Sequence, residues 1–240
     1  MIEVHGRMVS LSAERGIDLE EVISSPRFKQ WAERLDPEMK VRHVHVKSAD
    51  SFGGRVAFIH LRINVVDPKG AEAIRFLFLR GNSVALLAVF LCEGREYAAM
   101  IVQPREAEGA SECKEVVGGM CDKGSDYPTV AARELQEELG IQVSPEELID
   151  MTERMAKIKR SGLYPSPGAC DEAVRFFLFR KAIGVQELRA MQGKATGLAH
   201  EGEHLKVRIV PIDDLPHESS NMMAWTAYLL YQQLKVLGRI

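Results

Sequence analysis

The sequence has few cysteines and little net charge. Its cysteines, Cys92, Cys113, Cys121 and Cys170, form no Cys-x-x-Cys pair and have no histidine at zinc-site spacing, so we expect free thiols in a reducing compartment. A formal charge of −3 over 240 residues gives no electrostatic footprint for nucleic acid or for an anionic membrane. This argues against both as partners and leaves small molecules or proteins.

Long hydrophobic runs are also missing. No apolar run approaches the roughly 20 residues of a membrane span, and the N-terminal sequence MIEVHGRMVSLSAERG lacks the apolar segment of a signal peptide. We therefore expect a soluble intracellular protein, located in the cytoplasm. Hydrophobic residues still make up 46% of the chain, which is enough for a sizeable core in one large domain or in a domain with an appended arm.

Apolar periodicity and turn residues predict the order of the elements. Residues 1–39 are predicted to be mainly helical, with Ser25 and Pro26 at the start of a helix. A strand or extended segment is predicted within residues 151–163, and an irregular glycine-rich loop at residues 188–203. Further strands are predicted at residues 42–47, 55–65, 74–79, 83–91, 96–102, 174–179 and 205–212.

Two elements carry further expectations. The strand at residues 83–91, SVALLAVFL, is continuously apolar, as expected when both faces of a sheet are covered. A C-terminal helix is predicted to follow a cap at residues 219–221. The apolar side of this helix is predicted to consist of Met222, Trp225, Leu229 and Leu230.

A short helix is predicted near the middle of the chain. Pro128 suits a first helical position and Gly140 follows the last periodic residue, with Asp126 or Tyr127 near the cap. Its buried stripe is predicted to contain Val130, Leu135 and Leu139.

Three carboxylates share one face of this helix. Glu134, Glu137 and Glu138 are three and four residues apart, and each close pair of like charges costs about 0.2–0.5 kcal/mol. Arg133 is the nearby cation on the helix, and no lysine occurs in residues 130–150. A solvated acidic face is one interpretation. The other is a site for a hard cation such as Mg²⁺, which prefers oxygen ligands.

The segment around this helix resembles the Nudix box, G-x5-E-x7-R-E-U-x-E-E-x-G-U, where U is aliphatic. Gly118 and Gly119 follow an apolar pair and precede the helix, so the order is strand, glycine loop, helix. Ser125 stands where the pattern has its first glutamate, which in the family supports the box arginine. The matching positions are Gly119, Arg133, Glu134, Leu135, Glu137, Glu138, Gly140 and Ile141.

The resemblance implies a fold and an assembly. The expected fold class is α/β, a Nudix α/β/α sandwich with a mixed sheet, preceded by an N-terminal antiparallel β arm with a helix. Residues 1–80 would form this helix and β dimerisation arm, and residues 81–240 the Nudix hydrolase domain. Because the related ADP-sugar enzymes use such an extension to form a dimer, a homodimer is expected.

The resemblance also implies a set of site residues. An E-x-E before the final strand supplies a general base and a metal ligand in ADP-ribose pyrophosphatases, which assigns these roles to Glu201 and Glu203; a solvated acidic loop is the alternative. The implied ligands of Mg²⁺, with Mn²⁺ as the alternative ion, are Gly118, Glu134, Glu138 and Glu203. The implied catalytic residues are Glu201, Glu137 and Arg133. The implied substrate-binding residues are Arg105, Glu115 and Glu172, the last in a loop that resembles the S-P-G segment of ADP-sugar pyrophosphatases.

The activity implied by the resemblance is metal-dependent hydrolysis of the diphosphate of an ADP-sugar, ADP-ribose or ADP-glucose, to AMP and a sugar phosphate. Similarity to plant-type ADP-sugar diphosphatases extends from about Phe28 to the C-terminus. UDP-sugar or NADH pyrophosphatase activity is the nearer alternative. A non-catalytic Nudix module that binds nucleotide is a further alternative, which Ser125 alone supports.

Overall fold

The computed structural model describes residues 1–4, 6–67, 69–121, 126–155, 162–198 and 203–240. The chain divides into two compact units. The first consists of Met1–Asn82 with Tyr164–Ala173, and the second of Ser83–Leu163 with Val174–Ile240. The segment Tyr164–Ala173 therefore groups with the first unit, although it follows the box in sequence. The division into a dimerisation arm and a hydrolase domain stays a prediction.

The first unit contains a five-stranded sheet in the order β1-β2-β3-β4-β5. Strand β2 pairs parallel to β3, and the other neighbours are antiparallel. Phe28 and Trp31 are buried in its core together with strand residues such as Val46 and Leu61. The elements are β1 Ile2–Val4, β2 Arg7–Ala13, α1 Leu19–Ser24, α2 Pro26–Arg34, β3 Lys40–Phe52, β4 Arg55–Val66 and β5 Glu72–Leu79.

The mainly helical N-terminus predicted for residues 1–39 is wrong for its first part, which forms β1 and β2. Strand β2 alternates so that Val9 is buried while its neighbours Met8 and Ser10 are exposed, a pattern with the period of a strand. Helix α2 begins as predicted, because the Ser25 side chain accepts a hydrogen bond from the Phe28 N–H at 3.3 Å.

The second unit contains a mixed sheet in the order β10-β11-β6-β7-β13-β12, with β8 paired to β7 and β9 paired to β6. Strand β11 runs parallel to β6, and all other pairs are antiparallel. The strands are β6 Ser83–Cys92, β7 Arg95–Arg105, β8 Ala110–Glu115, β9 Val117–Met120, β10 Ile149–Asp150, β11 Val174–Ala182, β12 Ala195–Thr196 and β13 Leu205–Pro211. The helices are α3 Tyr127–Leu139, α4 Met151–Met155, α5 Val185–Met191, α6 Leu215–Glu218 and α7 Met222–Val236, with 3-10 turns at Pro145–Glu147 and Ile212–Asp214.

Strand β6 lies at the centre of the second unit and is covered on both faces, as its sequence predicts. Alternate residues such as Leu86 and Phe90 share one core with α3, and those between, such as Leu87, share another with α7. This is the expected α/β/α sandwich. The two predicted hairpins are also confirmed, β4 with β5 and β6 with β7.

Two other expectations are corrected, and a third is met in part. Within residues 151–163, where a strand or extended segment is predicted, Met151–Met155 is a helix, which starts where Asp150 accepts a hydrogen bond from the Glu153 N–H at 2.8 Å. At the end of the same segment, Leu163 pairs with Val174 in an isolated antiparallel bridge. The predicted irregular loop at residues 188–203 contains the end of α5 and the short strand β12.

Helix α7 is capped by Asn221 as predicted, but it buries a different face. Met222, Trp225 and Leu229 are exposed. The buried residues are Ala224, Ala227, Tyr231 and Leu234. The small side chains of the two alanines leave room for a close approach to the sheet, so burial follows shape as well as hydrophobicity.

Candidate active site

Helix α3 is the element on which most of the predicted site residues lie. It begins at an Asp126 cap, whose carboxylate accepts a hydrogen bond from the Thr129 N–H at 2.8 Å. It ends at Gly140, whose φ of 73° is the left-handed conformation that glycine adopts without strain. Val130, Leu135 and Leu139 are buried as predicted, so the rotation of the helix is set by its core contacts.

The acidic face of α3 is partly neutralised by Arg133. One guanidinium nitrogen, Nη2, lies 2.8 Å from Glu134 Oε1, and Nη1 lies 2.9 Å from Glu137 Oε2. Glu138 instead accepts a hydrogen bond from the backbone N–H of Gly118 at 3.1 Å. The arginine thus reaches two of the three carboxylates, and the third is oriented by the glycine loop.

Glu138 is an acid of the site whose pKa is strongly perturbed. Its side chain is buried, and burial is the main reason why its pKa is raised well above the usual value. The charges of Glu134, Glu203 and Glu115 raise the pKa further, while the hydrogen bond from Gly118 opposes them. A carboxylate is expensive to bury beside like charges, so this arrangement favours a cation at the same place.

Gly119 allows the strand before the helix to pass close to these carboxylates. A Cβ atom at this position would lie only 2.1 Å from Glu134 Oε1. At Gly118, a Cβ atom would lie 2.6 Å from the backbone oxygen of Val84 on β6. Both glycines are therefore required by close approach, one to the acidic cluster and one to the sheet.

The donor set fits a hard divalent cation. Glu134 and Glu138 are buried carboxylates on adjacent turns of one helix, and Gly118 lies beside them because its backbone N–H contacts Glu138. In the described ranges, no three side chains of His, Cys, Asp or Glu are grouped closely enough to hold a metal ion by themselves. Mg²⁺ needs no such cage, because it keeps several waters and uses one or two protein carboxylates.

Arg105 and Glu115 are both predicted to bind substrate. Arg105 ends β7 and Glu115 ends β8, and their side chains contact each other directly. Glu115 Oε2 accepts hydrogen bonds from Arg105 Nε at 2.9 Å and Nη2 at 2.6 Å, and from Gln103 Nε2 at 2.9 Å. Its Oε1 accepts one from Asn221 Nδ2 at 2.8 Å. The Glu115 carboxylate is buried, while the Arg105 side chain is 48% exposed. The pair therefore presents a fixed guanidinium to solvent.

Asn221 is the residue of this cluster that sequence reasoning did not assign to the site. An asparagine directly before a helix is expected as a cap, so its presence there suggests no other role. Nothing in the neighbouring sequence indicates that its amide nitrogen also contacts Glu115. Gln103, two residues before Arg105, also donates a hydrogen bond to this carboxylate.

Two predicted residues lie elsewhere or outside the described ranges. Glu172 belongs to the first unit, where it is buried and its Oε2 lies 3.4 Å from Arg80 Nη1. Its neighbour Asp171 accepts hydrogen bonds from the backbone N–H groups of Arg80 and Gly81. Glu201, the predicted base, and Ser125, the departing box position, lie outside the described residues.

Glu203 lies where the chain returns toward β13. Its N–H donates to the carbonyl of Leu198 at 3.2 Å. The N–H of Gly197 donates to the carbonyl of Glu137 in the last turns of α3 at 3.3 Å. Glu203 is also close enough to Glu138 to raise the pKa of that side chain. Glu203 therefore lies near the acidic cluster, and its role as a metal ligand stays a prediction.

A family comparison identifies the second unit. The NUDIX domain model matches residues 80–233, which contain α3, its glycine loop, Arg105 and Glu115. The chain belongs to the Nudix family. The expected α/β/α fold and the expected family are both confirmed.

Two relatives are similar over most of the chain. Nudix hydrolase 14, chloroplastic, of Arabidopsis thaliana is 30% identical over 244 aligned residues, which cover 97% of this chain and 79% of the relative. The ADP-ribose pyrophosphatase of Bacillus subtilis strain 168 is 29% identical over 188 residues, 77% of this chain and 89% of the relative. These similarities, with the domain match, make the chain a Nudix hydrolase.

A solved structure supports the fold. The crystal structure of an ADP compounds hydrolase aligns with a TM-score of 0.59 at 15% identity, covering 86% of this chain and all of the other. At that identity the likeness establishes the architecture alone.

None of the described helices is long and apolar enough to cross a membrane.

Proposed function

We propose that this Nudix hydrolase cleaves the diphosphate of an ADP-sugar, ADP-ribose or ADP-glucose, to AMP and a sugar phosphate with the help of a divalent metal ion. The observation that carries the proposal is the cluster formed by the buried acids Glu134 and Glu138 with the Arg105–Glu115 pair in the same unit. The acids suit a cation and the guanidinium suits a phosphate, so together they suit a metal-bound diphosphate.

Mg²⁺, or Mn²⁺ in its place, would be held by Glu134, Glu138 and the carbonyl of Gly118, and Glu203 would move in to complete the set of ligands when the ion binds. When bound, the ion would neutralise charge on the diphosphate oxygens and make an attacking water more acidic. The donor types support this assignment, since all are oxygen atoms and two of the carboxylates are buried.

The protein groups would divide the remaining work. Arg105, held by Glu115, would bind the anionic part of the substrate through guanidinium N–H groups that do not contact Glu115. Arg133 would keep Glu134 and Glu137 in fixed positions through its two contacts. In this proposal Glu201 takes the proton from the attacking water, as its place in the E-x-E pattern suggests.

The names of the relatives support an ADP-linked substrate. The Bacillus subtilis relative is an ADP-ribose pyrophosphatase and the structural match is an ADP compounds hydrolase. UDP-sugars and NADH remain the alternative substrates, because no described residue distinguishes the nucleobase. Glu172 is proposed as a further substrate contact, on the basis of its place a few residues after the S-P-G segment.

We also propose that the chain forms a homodimer through its first unit. The support is the separate five-stranded sheet of that unit, which exceeds what the matched NUDIX domain requires. A particle of twice the chain mass by light scattering is expected at micromolar concentration, and a monomer would contradict this assembly.

The Arabidopsis relative is named as chloroplastic, and the cytoplasmic location of this chain stays a prediction.

Product analysis tests the proposed activity. Purified protein is incubated separately with ADP-ribose, ADP-glucose, UDP-glucose and NADH, each with Mg²⁺ and with a chelator. Release of AMP from the ADP-sugars that depends on Mg²⁺ is the expected result. Faster release of UMP from UDP-glucose would move the assignment to UDP-sugars, and turnover that survives the chelator would contradict the metal.

A further inference from the structure

The side chain of Asn221 makes two contacts that serve different elements. Its Oδ1 accepts a hydrogen bond from the Met223 N–H at 2.8 Å, which caps helix α7. Its Nδ2 donates to Glu115 Oε1 at 2.8 Å, although the two residues are 106 positions apart. A cap needs only the oxygen, so the contact of the amide nitrogen requires a separate explanation.

Each residue of the segment Glu218–Asn221 contacts β8 or the turn that precedes it. Glu218 Oε2 pairs with the Lys114 ammonium, and the Ser219 hydroxyl donates to the Lys114 carbonyl. The Ser220 hydroxyl donates to Glu108 in the turn that precedes β8. The fourth residue of the run is the asparagine. The amide that reaches the substrate-binding carboxylate is therefore anchored on a rigid base.

The contacts of Glu115 show what this amide can control. Three N–H groups, from Gln103 and Arg105, converge on Oε2, and the Asn221 amide bonds to Oε1. Donors on both oxygens prevent the carboxylate from rotating about its last bond. The guanidinium of Arg105 is held through Nε and Nη2, so its direction depends on the direction of Glu115.

We propose that Asn221 is a positioning residue for the Arg105–Glu115 pair, and that it sets the direction in which Arg105 presents its free N–H groups to the diphosphate of the substrate. The inference rests on the proposed function, in which Arg105 binds that group. It adds a residue from the C-terminal helix to a site otherwise built from β7, β8 and the box.

Two substitutions separate this role from helix capping. Serine caps a helix about as well as asparagine, but its hydroxyl is too short to reproduce the amide contact, so N221S removes the donor and keeps the cap. Aspartate also caps well and has the shape of asparagine, but N221D directs an oxygen instead of an N–H at Glu115 Oε1. Neither change alters a group that contacts substrate.

Steady-state kinetics give the expected signature. In N221S, KM for the ADP-sugar should rise roughly tenfold, the scale of one hydrogen bond to a charged group, with kcat within about twofold. N221D should raise KM further, because two carboxylates then face each other. The melting temperature of N221S should fall by only about 2–6 °C, since the cap is kept and one hydrogen bond to Glu115 is lost. Unchanged KM in both variants would overturn the proposal.

A double-mutant cycle identifies Glu115 as the group through which Asn221 acts. If the asparagine works by orienting that carboxylate, adding N221S to E115Q should change kcat/KM much less than N221S does alone. Additive effects would overturn the proposal, as would a fall in melting temperature that accounts for the lost activity.

A binding measurement distinguishes failure of this inference from failure of the proposed function. If the parent protein hydrolyses none of the diphosphates tested, the proposed function fails. Calorimetric titration with inorganic pyrophosphate and Mg²⁺ then compares the parent with N221S, and weaker binding by roughly tenfold would still support the positioning role. Equal affinity, or no binding to either protein, would overturn it.

Discussion

The backbone N–H of Gly118 donates a hydrogen bond to the buried carboxylate of Glu138 at 3.1 Å. This contact joins the glycine loop to the box helix and holds Glu138 beside Glu134, where its charge is costly. The strain of burying like charges is retained in the folded protein, which is typical of a site completed by a ligand. The predictions below follow from this contact and from the packing around it.

Replacing Glu138 by glutamine should separate stability from activity. The amide oxygen can still accept the hydrogen bond from Gly118, while the buried charge disappears, so E138Q should melt at a higher temperature than the parent in chelator. Hydrolysis should fall at least about a hundredfold, as for loss of a preorganised charged group in other active sites. Thermal melts and initial rates measure both effects.

The control for this substitution is E187Q. Glu187 lies on α5 and pairs at 3.4 Å with Lys181 on the exposed surface. Its replacement should change the free energy of unfolding by less than about 0.5 kcal/mol and leave the rate unchanged. A parent protein that melts above E138Q in chelator would contradict the assigned cost of the Glu138 charge.

Titration of Glu138 should also be visible in the pH dependence of the free energy of unfolding. Because the folded pKa of Glu138 is raised above its usual 4.5, the folded state binds more protons than the unfolded state between these values. Its contribution is therefore stabilising at low pH and is lost as the pH rises from 4.5 through the folded pKa. In chelator, the difference in unfolding free energy between E138Q and the parent should grow over that range.

Gly119 should tolerate no side chain. In G119A the new Cβ would start 2.1 Å from Glu134 Oε1, so either the loop or the carboxylate must move. We expect hydrolysis to fall by about a hundredfold or more, since small displacements of positioned groups have effects of that size. G184A is the control, because a Cβ at Gly184 meets no atom within 4 Å. Equal rates in the two variants would refute the close-approach argument.

Gly197 should matter for the placement of Glu203. It has a φ of 89°, and a Cβ there would lie 2.9 Å from the backbone oxygen of Glu203. Gly193 has a similar φ of 76° but open space around it, so G193A carries the same backbone strain without the clash. Both variants should lose about 1 kcal/mol of stability from backbone strain, G197A should lose more because of the clash, and only G197A should also lose hydrolysis rate. Chemical denaturation and initial rates provide the comparison.

The box helix could be predicted in detail because the residues that determine its ends and its faces lie within the helix or next to it in sequence. The cap at Asp126, the buried stripe, the left-handed Gly140 and the three carboxylates all lie within a few turns, and each has a direct physical meaning in the sequence. The same holds for the buried strand β6. Local rules therefore gave the ends of α3 and the face on which its acids lie.

The parts that could not be predicted depend on partners distant in sequence. Strand β2 is defined by its parallel pairing with β3, which begins after two helices, and its short alternation is weak evidence alone. Helix α7 buries Ala224 and Ala227, while the larger apolar side chains Trp225 and Leu229 are exposed, so hydrophobicity alone does not identify its buried face. Asn221 and Glu115 are 106 positions apart, and the sequence around neither residue indicates that they contact each other.

The most direct test of the account is phosphorus NMR of ADP-ribose incubated with the parent protein and with E138Q. With Mg²⁺ and the parent protein, the diphosphate signals should be replaced by two phosphomonoester signals, those of AMP and ribose phosphate. Chelator or E138Q should leave the diphosphate intact over the same period. Cleavage by E138Q at the rate of the parent, or cleavage in chelator, would contradict the claim that the buried acids of α3 form a metal-dependent diphosphatase site.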